Sequence, residues 1–144
     1  MTTGPRHSVS VAAAIVAEDG TVMAIQRRDN KHWEPPGGIL ELSEGPIDGL
    51  RREVHEETGL HIEPETLTGV YKNMPQAIIA LVFRCRVTGG TPHTTNESNQ
   101  VAWLTRDEVT DRMSEAFAVR ITDALDFEGV PAVRTHDGQQ IGRN

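Results

Sequence analysis

The sequence predicts a mixed α/β chain of the α+β kind, a mixed β-sheet held between helices, and three observations carry that prediction. Val9 to Ala17 and Ile78 to Val87 are apolar, β-branched runs of strand length. Between them, Ile47, Leu50 and Val54 recur at three and four residues, behind a proline and ahead of a glycine, as on an amphipathic helix. Further on, Thr105 and Glu108 have the spacing of a capping box that opens a second helix.

Taken in order, residues 1–8 read as an N-terminal tail. A strand follows over Val9–Ala17, a hairpin turn at Glu18-Asp19-Gly20, and a return strand TVMAIQR. Asp29 to Pro36 is polar and ends in a proline pair, which predicts a loop. Gly37-Gly38 opens a short extended piece, and Pro46 to Thr58 is the first helix, stopped at Gly59. Strands are expected at Leu67–Tyr71 and Ile78–Val87, the latter apolar on both faces and so central in its sheet. GGTP turns the chain, HTTNESNQ is a polar loop, and VAWL is a short strand. The helix begun at Thr105 is expected to continue through AFAVRITDAL. One domain therefore spans 9–127, and 128–144, polar and glycine-rich, reads as a loosely held tail.

At 144 residues the chain suits a single domain. Its 14 basic and 21 acidic residues give a formal charge of −7, which argues against nucleic-acid or anionic-membrane partners because no basic surplus exists for phosphate backbones. A small phosphorylated substrate is still allowed, since a bound divalent metal can supply the missing positive charge. The single cysteine, Cys85, excludes an intramolecular disulfide and sits in an apolar run as a small strand residue. The N-terminus lacks the order of a signal peptide and no apolar run spans a bilayer, so a cytoplasmic location is expected. A strand edge near Val9 leaves room for a homodimer.

The first helix places Glu53, Glu56 and Glu57 within about 100° of arc, beside its apolar stripe. Like charges at that spacing destabilise a helix by a few tenths of a kcal/mol per pair. A hard cation such as Mg²⁺ takes oxygen ligands and would cancel the repulsion. Taken alone, such a trio is more often a solvated face than a metal site.

The flanking residues reverse that balance. Counting from Gly38, five residues intervene before Glu44 and seven more before Arg52; Glu53, Val54, Glu56, Glu57, Gly59 and Leu60 then stand at fixed offsets. Nine specified positions would match by chance on the order of once in 10¹⁰ starting points at average residue usage. The pattern resembles the signature of the Nudix hydrolases, which act on a nucleoside diphosphate linked to another moiety. The resemblance implies an αβα sandwich with its mixed sheet between helices, and a divalent metal, Mg²⁺ or alternatively Mn²⁺. It implies that Glu53, Glu56, Glu57 and the carbonyl of Gly37 are metal ligands. Arg52 then supports the site by holding a carboxylate, with Glu44 its expected partner. Glu53 is the favoured general base; Glu97, in the polar loop before VAWL, is the candidate ligand or base outside the signature.

Other residues carry less. Arg27 and Arg28 end the second strand and are candidates for binding substrate phosphate, or are solvated strand-end arginines. Trp33 is a candidate to stack on a base, or an aromatic lid or core residue. Trp103 reads as core. His55 is not part of a zinc pair, because position 59 is glycine. WEPPGG resembles the approach segment of members that cleave nucleoside triphosphates, and Pro75 resembles a proline of ADP-ribose-hydrolysing members. Gly49 stands where alanine is common in the family and costs the helix up to about 1 kcal/mol. The expected function is therefore hydrolysis of a diphosphate linkage in a small-molecule nucleotide, first a nucleoside triphosphate, then ADP-ribose or a nucleotide sugar. A non-catalytic nucleotide sensor is the rival of another class.

Overall fold

The computed structural model describes residues 4–142; the first part of the expected N-terminal tail and the last two residues lie outside them. Among the described residues, eight strands and three helices follow in chain order: β1 (Ser8–Ile15), β2 (Val22–Arg27), β3 (Trp33–Glu34), β4 (Gly37–Ile39), α1 (Pro46–Thr58), β5 (His61–Asn73), β6 (Ile78–Gly89), β7 (Ser98–Leu104), α2 (Arg106–Arg112), α3 (Glu115–Leu125) and β8 (Ala132–His136).

β1 organises the molecule. Val11 to Ile15 are all buried, as a strand covered on both faces must be. The two-residue alternation of a strand then sorts them. Val11, Ala13 and Ile15 pack with Leu50, Val54, Leu60 and Cys85 on the α1 side. Ala12 and Ala14 pack with Val109, Ile121 and Ala124 on the α2–α3 side. The five-stranded sheet runs β4-β1-β6-β5-β8, with β1 parallel to β6 and β5 parallel to β8 and the other pairs antiparallel. β2, β3 and β7 form a separate antiparallel sheet. The mixed sheet between helices is as the sequence predicts.

Four local expectations need correction. The Glu18–Gly20 turn forms, but β1 and β2 share only the Val16–Val22 bridge and then diverge into different sheets. β1 is not an edge: β4 covers one side and β6 the other, so a second copy cannot pair along it. The Asp29–Pro36 loop contains β3, whose Trp33 and Glu34 pair with Gln26 and Ile25. The second helix breaks at Met113 and Ser114, both in extended conformation. Met113 is buried there, and Ser114 followed by Glu115 is itself a helix-start pattern.

The polar stretch 128–144 is also more than a tail, because it contributes β8 alongside β5. Arg134 forks onto Asp123 through two hydrogen bonds of 2.8 Å, and Tyr71 O–H donates 2.7 Å to the same carboxylate. That triad ties β8, α3 and β5 together, which a scan for apolar periodicity cannot detect.

Gly49 has a packing reason. A Cβ there would collide with a Leu40 methyl and stand 3.0 Å from Glu44 Oε1. Gly49→Ala should therefore not deliver the roughly 1 kcal/mol that helix propensity alone promises. Thermal melting is expected to give an unchanged or lower Tm; a rise of about 3 °C or more would show that Leu40 repacks freely.

Candidate metal and catalytic site

Glu53 and Glu57 lie one helical turn apart on α1 and face the loop between β6 and β7, which brings in Glu97. One carboxylate oxygen from each of the three lies within 4.8 Å of the others. Glu57 is the anchor. It is 4% exposed, and its Oε1 accepts a 2.7 Å hydrogen bond from Gly37 N–H. Burial pushes its pKa up to about 9, only partly offset by that bond, and the charges of Glu53, Glu34 and Glu97 push the same way. Glu53 is also raised by burial, with Arg52 opposing the rise. Its carboxylate lies flat against β4, where a Cβ at position 38 would stand 2.5 Å from its carboxyl carbon. Gly38 is thus a close approach of backbone to carboxylate.

Arg52 holds the arrangement from the side. Its Nε and Nη2 donate to the two oxygens of Glu44 at 2.9 and 2.5 Å, a bidentate fork. Its Nη1 lies 3.1 Å from Glu53 Oε1 and 3.2 Å from Glu56 Oε2. The Glu44 carboxyl is lowered to about 2 by this fork and by the Glu41 N–H. Glu56 therefore rests on Arg52, half exposed, outside the trio that Glu53, Glu57 and Glu97 form.

Glu97 is placed by Ser98, which sequence reasoning missed, and by Arg28, which it offered for substrate phosphate or as a solvated arginine. Ser98, fully buried, donates from Oγ 2.9 Å to the backbone carbonyl of Glu57 itself. Arg28 grips the Thr95 carbonyl through Nε and Nη2 at 3.1 and 3.0 Å, so its guanidinium fastens the Glu97 loop. Arg27 forks onto Asp29 at 2.9 and 2.7 Å and reaches Glu34 at 3.2 Å. Trp33 lies under the Arg112 guanidinium, 5.5 Å from the ring centroid, in a depression shared with Lys31, Met113 and Phe117. Cys85 is buried with its thiol pushed up to about 12 by burial, which suits an inert core residue.

A cleft of about 200 Å³ adjoins the glutamates. Gly37 and Gly38 line one end; Arg27, Glu34, Phe117, Arg120 and His136 line the rest. The last three were not foreseen. The one available signal was Arg120 interrupting the apolar run AFAVRITDAL, whereas His136 sits in a segment that reads as polar tail. A larger depression beside Asp123 and Asp126 shares no residue with this cleft, and both of those carboxylates are already paired with arginines.

Three carboxylates, one deeply buried with no cation beside it, form a donor set that suits a hard divalent ion. The family model of the NUDIX domain matches residues 6–125. The chain belongs to the NUDIX family. It is 56% identical over 140 residues to a MutT-like protein of Streptomyces ambofaciens, covering 97% of this chain and 90% of that one. It is 39% identical over 103 residues to the Homo sapiens 8-oxo-dGDP phosphatase NUDT18, covering 67% of this chain but 32% of that relative. A Streptococcus suis ADP-ribose pyrophosphatase shares the fold, with a TM-score of 0.76 at 20% identity over 91% of this chain and 100% of that one. The chain is accordingly a Nudix hydrolase. Among the described residues, no helix is long and apolar enough to cross a membrane.

Two outcomes follow for the Nudix site. The folded, metal-free chain holds a proton on Glu57 that the unfolded chain, with a value near 4.5, has released. Metal-free stability should therefore fall as pH rises from about 4.5 to about 9. Thermal melts are expected to show a larger Mg²⁺-induced Tm rise at pH 8 than at pH 6, and Glu57→Gln should remove the difference. Gly38→Ala should displace the Glu53 carboxylate, the end of a flexible side chain, lowering turnover at least about 10-fold while moving Tm by less than about 3 °C.

Proposed function

We infer that this Nudix hydrolase is a divalent-metal-dependent enzyme that cleaves a diphosphate linkage in a nucleotide, with a nucleoside triphosphate as its preferred substrate. The observation that carries the reading is the convergence of Glu53, Glu57 and Glu97 within 4.8 Å, against the strand β4 whose Gly37 and Gly38 also line a cleft. When bound, the metal supplies charge neutralisation on the phosphate oxygens and a lowered pKa for water. Mg²⁺ is the expected ion, and Mn²⁺ should substitute.

The chain's own residues then divide the work. Glu57, fixed by Gly37 N–H, is the rigid ligand, and Glu97 closes the site from the loop. Glu53 accepts the proton of the attacking water: its proton affinity is raised by burial, as a base requires, and it remains less enclosed than Glu57. Arg52, gripping Glu44, keeps the Glu53 carboxylate from swinging out. Glu56 assists from the rim. Arg28 and Ser98 act as positioning residues for Glu97. The WEPPGG approach and the single base-sized cleft favour a nucleoside triphosphate. The human relative, an 8-oxo-dGDP phosphatase, acts on a nucleoside diphosphate, which supports a compact nucleotide, and ADP-ribose or a nucleotide sugar is the alternative to test beside it.

A panel of nucleoside triphosphates, nucleoside diphosphates and ADP-ribose with Mg²⁺, read by phosphate and pyrophosphate release, tests this. Glu53→Gln and Glu57→Gln are expected to lose about 10²–10⁴-fold in kcat, and Glu56→Gln less than either. No release from any compound by wild type would end the catalytic reading. Full activity in both Glu53→Gln and Glu57→Gln would overturn the roles assigned to them.

A further inference from the structure

β7 does not run evenly along β2. From Val22–Leu104 to Gln26–Gln100 the strands pair residue for residue, but the next pair is Arg27 with Ser98. Asn99 is the extra residue of a β-bulge, in which Asn99 and Gln100 together oppose Gln26. Side chains alternate along a strand, so a one-residue slip exchanges the faces on which they emerge. In an unbroken ladder Asn99 would stand opposite Arg27; the bulge puts Ser98 there instead. Ser98 is the residue whose buried hydroxyl reaches the Glu57 carbonyl at 2.9 Å, and Glu97 directly precedes it. The bulge therefore decides which side chains at this end of β7 meet the carboxylate cluster.

A bulge interrupts the backbone ladder, and here side chains secure it. Asn99 Nδ2 donates 2.7 Å to Gln26 Oε1, and Gln100 Nε2 donates 3.1 Å to the same oxygen. At the other end of the amide, Gln26 Nε2 donates 3.1 Å to the Lys31 carbonyl. A carbonyl can only accept, so Lys31 fixes which end of the Gln26 amide is nitrogen and leaves its oxygen to Asn99 and Gln100. Lys31 stands at φ +61°, in the left-handed region that non-glycine residues seldom adopt. Its N–H donates 3.1 Å to the Arg27 carbonyl, and Arg27 N–H donates 2.9 Å to the His32 carbonyl. Gln26 is held by that turn on one side and holds the bulge on the other.

We propose that Gln26 and Asn99 are positioning residues for the metal site, whose hydrogen bond locks the bulge that aims Glu97 at Glu53 and Glu57. This role rests on the reading of Glu97 as a metal ligand. Glu97 is exposed, so its carboxylate stays with the other two only where its backbone is held. Arg28 grips the loop two residues earlier, at the Thr95 carbonyl, and Ser98 holds the following residue. The Asn99 side chain keeps Ser98 in register, because regular pairing would turn the serine away from the Glu57 carbonyl. Neither Gln26 nor Asn99 touches the carboxylates; both act through the backbone of β7. Hydrogen bonds that orient metal ligands from behind typically change metal affinity about 10–100-fold.

Titration of the metal-free protein with Mn²⁺, read from the EPR signal of the free ion, tests this without any turnover. Asn99→Ala is expected to weaken Mn²⁺ binding about 10-fold. Gln26→Leu cuts the same bond from the other strand and should weaken it by a similar factor. Gln100→Ala removes the neighbouring bond, in the regular part of the ladder, and should change affinity by less than about 2-fold. General loosening of the fold would weaken binding whichever ligands are present, whereas a lock on Glu97 acts only while Glu97 is a ligand. In a Glu97→Gln background, itself weakened, Asn99→Ala should therefore cost less than about 2-fold more. Mn²⁺ affinity within about 2-fold of wild type in both Asn99→Ala and Gln26→Leu overturns the proposal. An undiminished loss from Asn99→Ala in the Glu97→Gln background overturns it as well. Wild-type affinity in Glu97→Gln itself ends the reading of Glu97 as a ligand, and the proposed lock with it. A loss there with none in Asn99→Ala and Gln26→Leu leaves that reading standing and ends the lock alone.

Discussion

The burial of one carboxylate sets the terms for everything around it. Glu57 is taken out of water with a single strong donor, the Gly37 N–H, and with three other carboxylates raising its proton affinity. A buried anion without a cation is among the most costly states a fold can contain. The chain resolves this in two ways: by protonating Glu57 when no cation is present, or by gathering Glu53 and Glu97 around it so that a divalent ion is strongly favoured. The repulsion that makes this helix face unfavourable in isolation is therefore the source of its affinity. Arg52 cannot serve as the missing cation, because Glu44 holds its fork and turns only the remaining nitrogen toward the cluster.

Keeping three carboxylates together requires a backbone that comes unusually close to them. The small residues of β1 and β4 provide it. Gly37, where a Cβ would run into the Val11 carbonyl and Ala12, lets β4 lie tight against β1, and Gly38 lets the Glu53 carboxylate rest on the chain itself. Leu50 and Val54 hold α1 on the same side of the sheet. From the loop side, the Ser98 hydroxyl fixes Glu97's neighbour to the Glu57 carbonyl. The geometry of the carboxylate cluster is thus held by core packing on one side and by the buried Ser98 hydroxyl on the other.

The legible part of this design is the part confined to neighbouring residues. Glu53, Glu56 and Glu57 share one helix, so their grouping follows from the helical repeat, and Arg52 with Glu44 follows from a fixed spacing across one loop. Glu97 was visible only as a polar residue in a loop of the right kind. The Ser98 hydrogen bond and the Arg28 grip on Thr95 were not visible, because they depend on which strands neighbour each other. The same limit hid β8: its link to β5 runs through Arg134, Asp123 and Tyr71, three polar or amphipathic residues far apart in the chain. The break between α2 and α3 was written locally, in the Ser114-Glu115 pair, but the apolar period running across it suggested one helix.

Charge explains why the two ends of the cleft differ. A chain with a formal charge of −7 that acts on a nucleotide diphosphate linkage must overcome repulsion where the phosphates sit, and a divalent metal among the glutamates would do so locally. At the other end, Arg120 has no carboxylate at ion-pair distance among the described residues, and Glu34, in the same cleft, acts on it only from further away. Had the fold needed only to neutralise Arg120, a carboxylate at ion-pair distance would suffice, as Asp123 does for Arg134. Leaving it unpaired costs stability, since its Nε–H is buried without a partner.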